Sequence, residues 1–175
     1  MLPDIRNFHN TALYLPILTA SSIVDTAGLF VWRYTSKPDA PINKWYDKFG
    51  LSAYTADVLS IALGVVLTQL LTTWIGGAWS PTFFCGIAVV VQMAHDLLFG
   101  NVIVPLVPKG HNTIMDLMKE YVKIDFPAGI LIVDAIYMIA ASLLTMLFAS
   151  VPVSYSWFSL LWSIYITMYV LHTKP

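Results

Sequence analysis

The chain has 175 residues and a formal net charge of -1, and 58% of its residues are hydrophobic while only 11% are charged. Soluble domains carry about 25% charged residues, and a chain of this size has too little interior to bury so much apolar surface. This composition excludes an ordinary soluble domain, and the near-neutral charge argues against nucleic-acid binding. We therefore expect an all-α polytopic membrane protein, with a single transmembrane domain over residues 1–175.

Five segments are long and apolar enough to be membrane-spanning helices, each of which needs about 20 mostly apolar residues. Glycine and proline punctuate the connections between them, as at Gly76, Gly77 and Pro152. The first segment, which contains Pro16 and Asp25, is the most polar. The predicted spans are residues 12–32, 51–75, 81–104, 126–150 and 153–172.

The two longer connections carry features of the membrane interface. Trp45, Tyr46 and Phe49 lie between the first two spans, and aromatic side chains of this kind are enriched at the headgroup layer. Between the third and fourth spans, apolar residues recur every three or four positions and predict an interfacial amphipathic helix over about 113–124. Its apolar face comprises Ile114, Leu117, Met118, Tyr121 and Val122.

Basic residues are distributed unevenly between the two sides of the predicted bundle. Of the nine lysines and arginines, only Arg6 falls on the side of the N-terminus. Because basic loops remain in the cytoplasm, we expect a lumenal N-terminus and cytoplasmic basic loops. The loop residues expected to contact lipid headgroups or a capsid protein are Arg33, Lys37, Lys44, Lys48, Lys109, Lys119 and Lys123.

Each of the first four predicted spans contains one aspartate: Asp25, Asp57, Asp96 and Asp134. A carboxylate in hydrocarbon is costly unless it faces protein or water, so small and polar neighbours on the same helix face indicate an inward orientation. At ~1.5 Å rise per residue, Asp25, Asp57 and Asp134 lie ~10–13 Å below the cytoplasmic surface. Asp96 lies at a comparable depth if the third span frays at residues 100–101. With His95 they form a predicted intramembrane polar layer.

This layer has two interpretations. It can be a packing seam, in which small and polar side chains let helices approach and hydrogen-bond across their interface. It can instead be a pathway for protons or cations, which intramembrane acids often mark.

An enzymatic function has weaker support, since the only acid–base cluster is His95 and Asp96 with His111 and Asp116. No HExxH, GxSxG or P-loop pattern occurs, and Cys85 is a single cysteine in an apolar stretch. We therefore predict that the protein is not an enzyme and that it has no catalytic, cofactor-binding or metal-binding residue.

Some segments of the chain are more distinctive than their hydropathy alone, namely residues 45–53, 56–59, 92–99, 108–110 and 115–121 and the segment around Asp134. In order and spacing they resemble uncharacterised multi-span membrane proteins of large DNA viruses that infect algae and protists, of the phycodnavirus and mimivirus type. The resemblance covers about residues 45–148. It implies a viral membrane component, positioned in the internal membrane of the virion beneath the capsid, but no known activity.

Together, these features predict a structural integral membrane protein that links a viral inner membrane to capsid or minor capsid proteins. The alternative is a proton or cation channel or transporter that uses the aspartate layer. In either case the expected partners are the lipid bilayer and other viral capsid or membrane proteins, without nucleic acid or a cofactor.

Overall fold

The structure, a computed structural model, describes residues 2–122 and 127–174. These residues form helices and contain no strand, so the predicted all-α fold is confirmed. In chain order the helices are α1 (Tyr14–Thr35), α2 (Pro41–Phe49), α3 (Leu51–Ile75), α4 (Pro81–Leu98), α5 (Val104–Leu106), α6 (Thr113–Tyr121), α7 (Pro127–Ala149) and α8 (Val153–Leu171).

Local sequence signals set the ends of several helices. Pro41 and Pro81 occupy the first turns of α2 and α4, where a missing backbone N–H costs nothing. The side chain of Asn112 accepts hydrogen bonds from the backbone N–H groups of the first turn of α6. Gly50 and Gly76, with φ of 50° and 74°, supply the left-handed backbone that separates α2 from α3 and ends α3.

The third predicted span, residues 81–104, is interrupted near its end. Regular helix stops at Leu98, and a wider π-helical turn over Phe99–Ile103 connects α4 to α5. Pro105 lacks the N–H that would bond to the carbonyl of Asn101, which is one cause of such a break. The helical path nevertheless continues to Leu106.

Four of the described helical segments are long and apolar enough to cross a membrane. α3 illustrates the pattern, because Leu63 and Leu67 are exposed while Gly64 and Thr68 are buried. An apolar exterior over a polar interior suits a lipid solvent. α8 is not among the four, and its serine and tyrosine residues lower its hydropathy. The four segments are Thr11–Thr35, Leu51–Ile75, Pro81–Leu106 and Leu131–Ala149.

A buried row of hydroxyl groups joins α8 to α1. Oγ1 of Thr26 lies 2.8 Å from Oγ of Ser163 and 2.7 Å from Oγ1 of Thr167. Ser22, one turn earlier on α1, donates to Ser163 at 2.9 Å and lies 2.6 Å from the hydroxyl of Tyr54 on α3. Contacts advance along both helices in the same direction, so α1 and α8 run parallel. This seam has the small, hydrogen-bonding character of membrane helix interfaces.

The N-terminal segment packs against one end of the bundle. Ile5 is fully buried, and its carbonyl accepts a hydrogen bond from Nε2 of Gln69 at 2.6 Å. Nη1 of Arg6 donates to the carbonyl of Gly77 at 2.9 Å, and its guanidinium lies 5.5 Å from the ring of Trp79. The N-terminal segment and the connection between α3 and α4 therefore share one end of the bundle.

The opposite end is built from the short helices. Trp45 and Tyr46 of α2 are buried in one hydrophobic cluster with Leu117 of α6 and Leu171 at the end of α8. α6 covers Thr113–Tyr121, whereas the predicted interfacial helix was 113–124; residues 123 and 124 lie outside the described residues. Both short helices cover the bundle on the side where the aspartates lie.

Candidate functional site

The carboxyl groups of Asp25 on α1 and Asp57 on α3 lie on either side of one phenol. The hydroxyl of Tyr46 donates to Oδ2 of Asp57 at 2.8 Å and lies 3.4 Å from Oδ1 of Asp25. Nε1 of Trp45 donates to the same oxygen of Asp57 at 2.8 Å. Because Trp45 and Tyr46 are successive residues, α2 supplies both donors to an acid of α3.

Asp96 on α4 and Asp134 on α7 form a second pair. Oδ1 of Asp96 accepts from Nε2 of Gln92 at 2.7 Å and lies 3.1 Å from Nδ1 of His95. The carboxyl group of Asp134 lies beside that of Asp96 and close enough to Asp57 for their charges to interact.

Tyr137 of α7 connects the two pairs. It interacts with Asp25, Asp57 and Asp134, which belong to three different helices. Its hydroxyl lies directly over Gly28 of α1, where an added Cβ would be 1.5 Å from the phenolic oxygen. Glycine at this position therefore allows the phenol to reach the acids.

Two tyrosines outside the membrane-spanning segments also face this cluster. Burial raises the pKa of Tyr46 well above its usual range, and the charges of Asp25 and Asp57 raise it further. Burial, followed by the charges of Asp134 and Asp57, raises the pKa of Tyr121 to about 12. Both tyrosines therefore keep their hydroxyl hydrogens at neutral pH, and Tyr46 remains a donor to Asp57.

Two carboxyl oxygens of the cluster are buried without a partner. Within the described part of the chain, neither Oδ2 of Asp25 nor Oδ2 of Asp96 has a hydrogen-bond partner, and Asp25 is only 2% exposed. Leaving an ionised oxygen buried and unpaired is costly, and an added proton relieves that cost. Among residues 2–122 and 127–174, no group of three or more His, Cys, Asp or Glu side chains is arranged to hold a metal ion.

The predicted polar layer can now be placed residue by residue. Asp25, Asp57, Asp96 and Asp134, from four helices, interact within one cluster. His95 lies at its rim, with a side chain that is 48% exposed. We name this set, together with Tyr46 and Tyr137, the aspartate cluster.

The residues of the predicted acid–base set do not share one location. The carboxylate of Asp116 accepts from the backbone N–H of Gly110 at 3.0 and 3.1 Å, which closes the loop before α6. His111 is exposed in that loop. Cys85 is buried in the hydrophobic cluster that contains Ile5, close to the opposite end of the bundle.

The predicted headgroup contacts differ in their accessibility. Arg33 is an exception to the expected surface position, because it is 1% exposed and donates to Asn43, Asp47 and the carbonyl of Leu171. Lys119 is half-buried and donates to the carbonyl of Val107. Lys123 lies outside the described residues. The predicted contacts that are exposed are Lys37, Lys44, Lys48 and Lys109.

Neither α2 nor the donors that it supplies are among the features predicted from the sequence. Trp45 and Tyr46 were expected among the headgroups, but they are 6% and 5% exposed and bind Asp57. A signal was present: Pro41 favours a helix start, and apolar residues follow at spacings of three and four. These residues are Ile42, Trp45, Tyr46 and Phe49.

No protein-family model matches the chain, and the comparisons with curated proteins and with solved structures found no similar protein. The features that point to a function are therefore the geometry of the aspartate cluster and the charge distribution around it.

Proposed function

We propose that this protein is a proton or cation channel or transporter, without enzymatic activity, whose pathway passes through the aspartate cluster. The observation that supports this proposal is the convergence of four carboxyl groups from four membrane helices, one fully buried (Asp25) and three half-buried, with buried, unpaired oxygens on Asp25 and Asp96 in the part of the chain that the structure describes. Intramembrane acids are expensive, and those that persist commonly line ion pathways.

The helix packing provides a reason to prefer this interpretation over a packing seam. α1 and α8 are already joined by neutral hydroxyl groups, including Thr26, Ser163 and Thr167. Such groups hold membrane helices together for about 0.5–2 kcal/mol each without burying a charge. Four acids add desolvation cost beyond what packing requires, which favours a role in binding cations or protons.

Flux measurements in reconstituted liposomes test this proposal. The wild-type protein is expected to dissipate a pH gradient or a monovalent-cation gradient. Asp57→Asn and Asp134→Asn are expected to abolish that flux while the protein still folds, because both amides keep the shape but cannot exchange a proton. Asp39→Asn is the matched control, since Asp39 is exposed in the connection before α2. Absence of wild-type flux under both gradients would overturn the proposal.

A second candidate function is that of a structural protein of a viral inner membrane, bound to capsid or minor capsid proteins. It is supported by the exposed lysines at the α2 end, Lys37, Lys44 and Lys48, which offer positive charge to an acidic partner or to anionic headgroups. Its test is the protein content of purified virions after membrane extraction. The protein is expected in the membrane fraction, and its absence from purified particles would remove this candidate.

We also propose that the α2 end is cytoplasmic and that the N-terminus is lumenal, with α8 as a fifth span. The positive charge of the loops at the α2 end supports this orientation. The parallel course of α1 and α8 supports an odd number of spans, with α8 as the fifth. Cysteine labelling in a Cys85→Ser background tests it. Cysteines at Lys44 and Lys109 should react from the cytoplasmic face, and one at Ala78 from the opposite face. Labelling of positions 44 and 109 from opposite faces would refute the arrangement.

A further inference from the structure

The hydroxyl group of Tyr46 lies close to two carboxyl groups, those of Asp25 and Asp57, but it has only one hydrogen to donate. Its oxygen lies 2.8 Å from Oδ2 of Asp57 and 3.4 Å from Oδ1 of Asp25. A tyrosine hydroxyl has one hydrogen to donate and can also accept. If Tyr46 donates along the shorter contact to Asp57, only a protonated Asp25 can complete the longer one, by donating to the phenolic oxygen.

We propose that Asp25, Tyr46 and Asp57 form a proton relay, in which Tyr46 passes a proton between the two carboxyl groups. The relay deepens the proposed function, on which it rests, by naming the proton as the transported species. Geometry supports this assignment, because a carboxyl oxygen of Asp25 on α1 and one of Asp57 on α3 both lie within hydrogen-bond distance of the phenolic oxygen of Tyr46 on α2.

The transfer balances without any other reactant. The carboxylic acid of Asp25 gives its Oδ1 proton to the phenolic oxygen of Tyr46 as Tyr46 gives its own hydrogen to Oδ2 of Asp57. One O–H bond breaks and one forms at the tyrosine, which returns to a neutral phenol. Asp25 becomes a carboxylate and Asp57 an acid, so one proton has moved and no electron is transferred.

The neighbours of Asp57 favour a proton over a metal cation. Oδ2 of Asp57 receives the N–H of Trp45 and the O–H of Tyr46, both at 2.8 Å. These donors occupy the lone pairs of Oδ2 and present positive hydrogens to any cation that approaches this oxygen. A proton can enter through exchange along the existing hydrogen bonds, whereas a cation must first displace them.

Asp25 is the acid that we expect to carry the proton before transfer, that is, in the resting state of the relay. It is 2% exposed, and its Oδ2 has no partner in residues 2–122 and 127–174. A buried carboxyl with an unpaired oxygen is less costly when it is neutral. The titratable and charged groups that surround the relay from the packed helices are Arg33 on α1, Tyr121 on α6, and Asp134 and Tyr137 on α7.

The decisive experiment compares two tyrosines in the full-length protein reconstituted in liposomes that report internal pH. Tyr46→Phe removes the relay oxygen. Tyr54→Phe is the matched control, because Tyr54 is equally buried, at 5% exposure, and its hydroxyl bonds to Ser22 rather than to an acid. Loss of a positioned proton-transfer group is expected to slow proton flux by about 100-fold in Tyr46→Phe. Tyr54→Phe should retain the wild-type rate.

The possible results separate the relay from the proposed function. Wild-type proton flux with an unimpaired Tyr46→Phe variant would overturn the relay and leave the transporter proposal standing. Flux of potassium or sodium without proton flux would overturn the relay in the same way. No wild-type flux of any kind would overturn the transporter proposal, and the relay with it.

An infrared measurement gives a readout that a structural role of Tyr46 would not mimic. The carbonyl band of a protonated carboxylic acid should be present in the wild-type protein at neutral pH and should diminish in Asp25→Asn. The same band should shift in Tyr46→Phe, because the hydrogen bond to the phenol is lost, and should be unchanged in Tyr54→Phe. A spectrum in which Asp25→Asn removes no acid band would overturn the relay, even if Tyr46→Phe proved too unstable for flux measurements.

Discussion

Replacement of Arg33 by methionine should destabilise the bundle by about 2–3 kcal/mol, because two buried acceptors lose a charged donor. The guanidinium donates to Oδ1 of Asn43 and to the carbonyl of Leu171, both at 3.1 Å. It also pairs with Asp47 at 2.7 Å, but that carboxylate is 61% exposed. Exposed ion pairs contribute about 0–1 kcal/mol, so most of the loss should come from the two buried bonds.

Reversible unfolding in mixed micelles, followed by circular dichroism, measures this change. Lys44→Met is the control, since Lys44 is exposed at the same end of the bundle. Double-mutant cycles should show stronger coupling of Arg33 to Asn43 than to Asp47. A loss in Arg33→Met no larger than in Lys44→Met, or stronger coupling to Asp47, would refute the assignment of Arg33 as a buried connector.

Three further substitutions test the packing of the bundle and of its N-terminal segment. Gly28→Ala should cost about 1–3 kcal/mol and displace Tyr137, since the new methyl group would overlap the phenol; an unchanged unfolding midpoint would contradict this contact. Thr26→Val should lower the stability of the bundle by about 1 kcal/mol, because it removes the hydroxyl at the centre of the α1–α8 seam, and denaturant unfolding would show this. Gln69→Leu should release the N-terminal segment, which limited proteolysis would detect as faster cleavage near Ile5, while the bundle itself changes little in stability. A cleavage rate equal to that of the wild-type protein would exclude this anchoring role.

The aspartate cluster shows how far hydropathy and helical spacing lead. Each acid lies on a small or polar face of an apolar helix, so its inward direction follows from the cost of placing charge in lipid. The spacing could not reveal how the acids are paired, because pairing depends on helix rotation and neighbour order. Only the fold shows that Asp96 lies beside Asp134 and that Tyr46 lies between Asp25 and Asp57.

The short helix α2 is the clearest case in which tertiary structure overrode the sequence interpretation. Trp45 and Tyr46 have the amphipathic chemistry of headgroup anchors, and a nine-residue helix between prolines and a glycine gives only a weak periodic signal. In the folded chain the same N–H and O–H groups donate to the half-buried carboxylate of Asp57, which is a stronger acceptor than a lipid headgroup surrounded by water. Arg33 turns inward for a similar reason, since it can satisfy the carbonyl at the end of α8.

The sequence by itself determined that this protein belongs in a lipid bilayer, and it determined the positions of the long helices. Each apolar run is long enough to cross the ~30 Å hydrocarbon core of a bilayer as a helix. Few other structures are possible there, because every backbone polar group in lipid must be hydrogen-bonded within the protein. Only the tertiary structure decided which side chains form hydrogen bonds with one another. That choice depends on differences of a few tenths of an ångström between atoms far apart in the sequence, such as Asp25 and Asp57 around Tyr46, and no local pattern encodes such distances.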